Sequence, residues 1–273
     1  MTGGVRGSTR VAGVIGDPIA HSRSPQIHNA GYAALGLDWV FVAFPTPRGR
    51  AAAALDAMRT LGIAGLSVTM PHKSDAARAC DERTERATTL GVVNTVCNRD
   101  GVLVGDSTDG EGFLRALGDE AVDPTGIDAV ILGAGGAARA IVEALGTAGA
   151  RITVVARNPE AARAAAALAP DARTADIQAL DDVVRGCVLF VNATPLGMQG
   201  EDVPVGTDAL AGMRLVVDTV YGPGTTPLVA RATAAGSVAV DGTGMLVHQA
   251  AVAFESFTGH PAPLDAMRAA ARS

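Results

Sequence analysis

Lysine is nearly missing from this chain. Of its 22 lysine and arginine residues a single one, Lys73, is lysine. Arginine stands wherever a fixed positive charge suffices, so the one retained lysine marks a place where an ammonium able to lose its proton would matter. A surface lysine kept by chance is the plain alternative. Aromatic residues are scarce as well, at 3%, which leaves few surfaces for stacking a large aromatic substrate. Cys80, Cys97 and Cys187 are isolated, with no C-x-x-C spacing, so they fit buried thiols in a reducing compartment rather than a disulfide or zinc framework. His21, His28, His72, His248 and His260 are dispersed without ligand spacing, and no metal is expected. The net charge of −6 excludes the basic footprint of a nucleic-acid or polyanion binder. No apolar run reaches membrane-spanning length, and residues 1–10 lack the apolar core of a signal peptide. The expectation is a soluble cytoplasmic protein with no membrane or nucleic-acid partner, acting as a monomer or homodimer.

What the chain does have is length and apolar content. Its 273 residues, 48% of them hydrophobic, can bury one large or two modest cores. The organising stretch is residues 129–158. An apolar run at 129–132 is followed by Gly133, Gly135 and Ala138 as G-x-G-x-x-A, a helix-prone run at 137–145, and a β-branched strand at 151–156. This is a βαβ unit with a dinucleotide-binding fingerprint. Gly133 permits the tight turn and Gly135 lets the backbone approach a pyrophosphate. Ala138 is small enough for close helix–strand packing, and the helix start offers free N–H groups to the anion. A glycine turn that merely packs closely is the competing reading.

The rest of the chain alternates in the same way. Strands are expected at residues 11–15, 39–44 and 66–70, with helices from Ser24, an N-cap followed by Pro25, to about 35 and from 50 to 61. Residues 75–79 and 82–90 read as helical. Residues 93–97 and 102–105 read as strands joined by N-R-D-G, a hairpin signal. Residues 109–117 read as a connecting helix. Further strands are expected at 188–193, 215–219 and 238–240, and helices at 159–168, 179–184, 227–235, 245–257 and 264–271. The class is α/β.

Lys73 follows a strand end in S-V-T-M-P-H-K, and Asp109 follows another in G-D-S-T-D-G. Ligands of open α/β sheets collect at such ends. A lysine and an aspartate beside a nicotinamide suit removal of a hydroxyl proton as hydride leaves the same carbon. A structural ion pair fits the spacing equally well. At the end of the second strand of the βαβ unit, where an NAD site expects an acid, the chain reads Ala156, Arg157, Asn158. No acid repels a 2′-phosphate there, and Arg157 can bind one, so NADP is the expected cofactor.

The motifs H-S-R-S-P, S-V-T-M-P-H-K, G-V-V-N-T, S-T-D-G-E-G-F, G-A-G-G-A-A-R-A, N-A-T-P-L-G-M, T-P-L and G-M-L-V-H-Q-A occur in this order from Gly13 to Gly259. In that ordered set the chain resembles the shikimate dehydrogenases. The resemblance implies two domains: an N-terminal α/β substrate domain, residues 1–109 plus 245–273, and a Rossmann-type NADP-binding domain, residues 110–244, with the C-terminal helices returning to the first. It implies reversible NADP-dependent reduction of 3-dehydroshikimate to shikimate, in aromatic amino acid biosynthesis.

Position by position, the resemblance gives Lys73 and Asp109 as catalytic, and Ser22, Ser24, Thr69, Asn94, Tyr221 and Gln249 as substrate contacts. It gives Gly133, Ala134, Gly135, Gly136, Ala137, Arg157, Asn158, Thr194, Thr219 and Gly242 as cofactor contacts, with Met198, Met245 and Thr219 near the nicotinamide. Four positions depart from the family pattern: Ala156 and Asn158 flank Arg157 where N-R-T is usual, and Ser67 and Ser107 replace asparagines. The two serines keep quinate or an aminoshikimate open as substrate. A non-catalytic NADP-sensing module and a folate-type dehydrogenase are the remoter alternatives.

Overall fold

The computed structural model describes residues 4–222 and 224–273. Residues 1–3, which begin the stretch read as lacking a signal peptide, lie outside the described residues, as does Pro223. In chain order the elements are β1 (Arg10–Gly16), α1 (Ser24–Ala34), β2 (Trp39–Pro45), α2 (Ala51–Thr60), β3 (Gly65–Val68), α3 (Lys73–Ala79), β4 (Glu82–Arg83), α4 (Glu85–Leu90), β5 (Thr95–Arg99), β6 (Val102–Asp106) and α5 (Asp109–Asp119). There follow β7 (Asp128–Leu132), α6 (Gly136–Thr147), β8 (Arg151–Val155), α7 (Pro159–Ala166), β9 (Arg173–Ala175), α8 (Leu180–Arg185), β10 (Leu189–Asn192), β11 (Leu215–Asp218), α9 (Pro227–Ala234) and β12 (Ala239–Val240). The last two are α10 (Thr243–Thr258) and α11 (Leu264–Arg272). The chain forms two compact units, Met1–Gly112 with Leu246–Ser273, and Phe113–Met245, so the divisions fall inside α5 and α10.

The first unit holds a mixed sheet in the order β2-β1-β3-β5-β6-β4. β1 runs parallel to β2 and β3, whereas β5 runs antiparallel between β3 and β6. The β5–β6 hairpin turns on Asp100 (φ 51°) and Gly101 (φ 93°), both in the left-handed region that a tight hairpin requires. Alternation along β3 assigns its two faces. Leu66 and Val68 join Ile15, Leu55, Met58, Ala76 and Leu103 beneath α2 and α3. Gly65 faces the other way, where an added Cβ would lie 2.2 Å from the Phe257 ring of α10. On that face His28 stacks on Phe41 at 4.1 Å, with Tyr32, Phe254 and Phe257 around it. This aromatic block seats α1 and α10 on the sheet.

The second unit is a wholly parallel sheet in the order β12-β11-β10-β7-β8-β9. Numbered from β7 as its first strand, this is the 3-2-1-4-5-6 order of the dinucleotide-binding fold. Ile131, Val154 and Val191 pack under α6 and α7 with Ile141, Leu145 and Ala162. Val130, Phe190 and Val216 pack on the opposite face with Leu180, Val184 and Leu228 of α8 and α9. Burial on both faces explains why these strands read as continuous apolar runs rather than alternating ones.

Two local expectations are corrected, and one strand stands where none was expected. Residues 82–90 do not form one helix. Glu82 and Arg83 pair in parallel with β6, and Thr84 then caps a new helix by accepting from the Ala87 N–H at 3.2 Å. The third strand stops at Val68, before Thr69 and Met70. The short β9 carries the polar sequence R-T-A and is mostly exposed, so no apolar run announced it. Among the described residues no helix is long and apolar enough to cross a membrane.

Candidate active site

The mixed sheet of the first unit concentrates polar groups at one end. Ile15 pairs with Val68, Ser67 with Thr95, and Thr95 with Asp106. The ends of β1, β3 and β6 therefore lie beside the start of the antiparallel β5. The segments leaving or entering there carry Ser22 and Ser24 after β1, Thr69 after β3, Asn94 before β5 and Asp109 after β6. Lys73 opens α3 and Asp109 opens α5. The Lys73 carbonyl accepts from the Val93 N–H at 3.0 Å, which ties the start of α3 to the residue before Asn94.

The Lys73 ammonium is ion-paired to Asp109 Oδ2. The two side chains are 17% and 7% exposed, so the pair is largely removed from water and its attraction is correspondingly strong. The other carboxylate oxygen, Oδ1, accepts from Asn94 Nδ2 at 2.7 Å. Asn94 is itself locked: its Oδ1 accepts from the Thr108 N–H at 2.8 Å and from the Thr95 hydroxyl at 3.0 Å. Its amide also reaches Gln249 Oε1 at 3.5 Å. Asp109 can thus neither rotate freely nor lose its partner without disturbing three elements. One Lys73 donor is used by Asp109, and the ammonium keeps further donor directions for a ligand.

Gln249 joins this group because α10 approaches the first turn of α5 closely. An added Cβ on Gly112 would lie 2.6 Å from the Gln249 backbone nitrogen, so only glycine permits the approach. The Thr108 hydroxyl then donates to the Gln249 carbonyl at 3.1 Å. Thr108 carries no local signal of this role, because its partners lie 14 and 141 residues away. The same holds for His72. It is fully buried beside Lys73 and makes a 2.7 Å bond from Nε2 to the Thr46 carbonyl beyond β2.

Ser22 and Ser24 lie at the mouth of α1. The expected capping role of Ser24 is corrected: the N-cap position is Arg23, which supplies no side-chain cap, and Ser24 begins the helix. The Ser22 hydroxyl instead accepts from the Ser24 N–H at 3.3 Å. Thr69 packs on the same loop, with its methyl 2.6 Å from where a Gly16 Cβ would stand. Seven of the eight expected catalytic and substrate residues therefore fall in the first unit. Tyr221 follows β11 in the second, half-buried.

The second unit presents a different kind of site. Gly133 adopts φ +125°, and a Cβ there would lie 2.8 Å from the Ala193 carbonyl oxygen. Gly135 occupies the N-cap of α6 with no side-chain cap and open space where a Cβ would be. The first N–H groups of α6, from Gly136 and Ala137, are thus left to an anion, with Ala134 preceding them. Ala138 is fully buried against the sheet, as its small size requires. At the end of β8, Arg157 is exposed, with no hydrogen-bond or ion-pair partner among the described residues. Asn158 commits its side-chain oxygen to capping α7, accepting from Glu160 N–H at 2.9 Å and Ala161 N–H at 3.3 Å. Its amide nitrogen is what remains for a ligand.

Across the same sheet end, Gly242 abuts Thr219: an added Cβ would sit 2.2 Å from the Thr219 carbonyl oxygen. Thr194 donates to Asn192 Oδ1 at 2.6 Å. Met198 is exposed, whereas Met245 is buried in the core against α6 and the sheet. An uncapped helix start, a glycine cradle and a free arginine in place of an acid fit a phosphorylated dinucleotide.

Among the described residues no three His, Cys, Asp or Glu side chains gather as metal ligands. Burial pushes the Cys80 and Cys97 thiols up to about 11 and Cys187 up to about 12, which makes all three poor nucleophiles.

A family profile described as the shikimate dehydrogenase substrate binding domain matches residues 14–96, and one described as the shikimate 5'-dehydrogenase C-terminal domain matches residues 242–272. The chain is 43% identical to a shikimate dehydrogenase (NADP(+)) of Methanopyrus kandleri, over 97% of this chain and 96% of that one. It superposes on shikimate 5-dehydrogenase of Thermus thermophilus in complex with NADP(H) and shikimate with a TM-score of 0.89, at 34% identity over 96% of this chain and 98% of the other. A quinate dehydrogenase of Corynebacterium glutamicum in complex with NAD gives 0.88 at 32% identity, over 96% and 98%. With such identity over nearly the full length of both chains, this chain belongs to the shikimate dehydrogenase family.

Proposed function

We propose that this chain catalyses the reversible NADP-dependent reduction of 3-dehydroshikimate to shikimate, in aromatic amino acid biosynthesis, with Lys73 and Asp109 handling the proton. The observation that carries the reading is the buried Lys73–Asp109 pair, whose second carboxylate oxygen is held by Asn94.

In the reducing direction the Lys73 ammonium donates its proton to the carbonyl oxygen as negative charge develops there; in oxidation the neutral amine takes it back from the hydroxyl. Asp109 holds the ammonium in place and, through Asn94, is itself held. An arginine at position 73 could not perform this step, because a guanidinium does not release its proton. NADPH, when bound, supplies the hydride. The N–H groups of Gly136 and Ala137 would receive its pyrophosphate, and Arg157 its 2′-phosphate. Ser22 and Ser24 donate to the substrate carboxylate at the start of α1. Thr69, Asn94 and Gln249 are left to sort the ring hydroxyls.

Initial rates with shikimate, quinate and an aminoshikimate, each with NADP and with NAD, test the assignment. The expected outcome is the highest kcat/KM with shikimate and NADP. A preference for quinate would move the chain to the quinate branch of the family, and no turnover with any of the three would sink the enzymatic reading.

A further inference from the structure

Resting on that cofactor reading, we propose that Asn192 and Asp218 form a positioning pair that shapes the nicotinamide half of the cofactor site and leaves the adenine half unaffected. In this topology the start of α6 takes the pyrophosphate and the end of β8 the adenine ribose. The ends of β10 and β11 are left for the other mononucleotide. Asn192 is the last residue of β10, Asp218 the last of β11, and they face each other in register. Both strands are otherwise apolar, L-F-V-N and L-V-V-D, and both polar side chains are fully buried.

Their hydrogen bonds run to the two loops that leave these strands. Asn192 Nδ2 donates to Asp218 Oδ1 at 2.8 Å and to the Leu196 carbonyl at 3.1 Å. Asn192 Oδ1 accepts from the Thr194 N–H at 3.2 Å and from its hydroxyl at 2.6 Å. The loop carrying Thr194 and Met198 is therefore wound around one amide group. Asp218 Oδ1 also accepts from the Val220 N–H at 3.1 Å, at the start of the loop that carries Thr219 and Tyr221. The second loop meets the first strand too, through the Thr219 N–H donating to the Asn192 carbonyl at 2.9 Å.

Asp218 Oδ2 is buried, and the Thr226 side chain also interacts with this carboxyl. Burial raises this carboxyl above the usual carboxylate range. A buried carboxyl is retained where its geometry serves something else. Here it joins the two loops through Asn192 and Val220. Thr194 of the loop they hold lies against Gly133, but among the described residues neither side chain is hydrogen-bonded to Arg157 or to α6, so the loss should fall mainly on the nicotinamide half of the dinucleotide.

The test uses the full chain without substrate, so a wrong substrate assignment leaves it intact. NADPH binding is read by cofactor fluorescence, and binding of adenosine 2′,5′-bisphosphate by calorimetry. Asp218→Ala should weaken NADPH about tenfold and change the bisphosphate by less than about twofold. Asp218→Asn keeps an Oδ1 acceptor for Asn192 and Val220, and should restore NADPH affinity. Equal weakening of both ligands, weakening of neither, or an asparagine that restores nothing would overturn the proposal. Should Asp218→Ala fail to fold, Asn192→Ser shortens the pair from its other side. It should show the same split at smaller size, and its absence there would count equally against the pair. A wild-type chain that binds no NADPH would overturn the cofactor reading, and the pair's role with it.

Discussion

The two units solve the same problem, holding a polar ligand at a sheet end, with different materials. The first uses side chains. Its sheet turns one strand antiparallel, which brings the start of β5 beside the ends of β3 and β6 and so sets Asn94 next to Asp109. The second uses backbone. Its all-parallel order leaves a helix start uncapped beside Gly133, where any side chain would strike the Ala193 carbonyl. The contrast follows from the tasks. Moving a proton needs a group that titrates, and no backbone amide does so. Binding a pyrophosphate needs several fixed donors close together, which a helix start provides without ordering any side chain.

If this division is right, side-chain truncation should hurt rate in the first unit and affinity in the second. The largest effect is expected for Lys73→Ala. It should lower kcat by ~10²–10⁴ and change KM much less, because proton transfer belongs to the transition state. The single lysine offers an independent check. An amine reagent should inactivate the enzyme with Lys73 as the modified side chain, and shikimate should slow it. Wild-type turnover in the purified alanine variant, or full activity with Lys73 stoichiometrically modified, would break the comparison at its first term.

The second unit's counterpart is smaller. Arg157 is exposed and carries a full charge that suits a 2′-phosphate, so Arg157→Ala should raise the NADP KM by ~10–100-fold while kcat with saturating NADP stays near wild type. The NAD KM should barely move. An equal loss with both cofactors would mean that Arg157 supports the fold rather than the phosphate.

Sequence made these two sites legible to different depths. The elements of the second unit's candidate site were readable almost whole, since a glycine loop, its helix and the next strand end are local, within 30 residues, and Gly133 has a steric reason. In the first, Lys73 stood out through composition and Asp109 through its place after a strand. What held them did not. Asn94 meets Thr108 and Gln249 only after the hairpin has folded and α10 has returned, and no periodicity records that. Ser24 shows the limit of local rules: its cap-like context with Pro25 is real, yet the helix begins one residue earlier than a serine cap would allow. β4 was hidden for the opposite reason, two charged residues whose strand character comes wholly from β6.

The smallest expected effect separates the units by their response to acid. All five histidines lie in the first unit. His28 is fully buried against Phe41, both ring nitrogens lack partners, and burial lowers its pKa to about 3. Its ordinary value is about 6.5. The folded state therefore keeps it neutral while the unfolded state takes up a proton between those values. Its full contribution is present above pH 6.5 and is lost as pH falls from there toward 3. At pH 5.5 that loss is on the order of 1 kcal/mol.

Asp218 in the second unit has the opposite sign. Burial raises its carboxyl, so the folded state binds the proton first, and acidification relieves rather than adds strain. Hydrogen exchange at pH 7.5 and 5.5, corrected for intrinsic rates, should show α1 and α10 losing protection while β10 and β11 hold theirs. His28→Phe keeps the stack on Phe41 and sacrifices no hydrogen bond, so it should abolish the acid loss in α1 and α10. A loss spread evenly over both units, or one untouched by His28→Phe, would show that acid sensitivity does not originate in this buried ring.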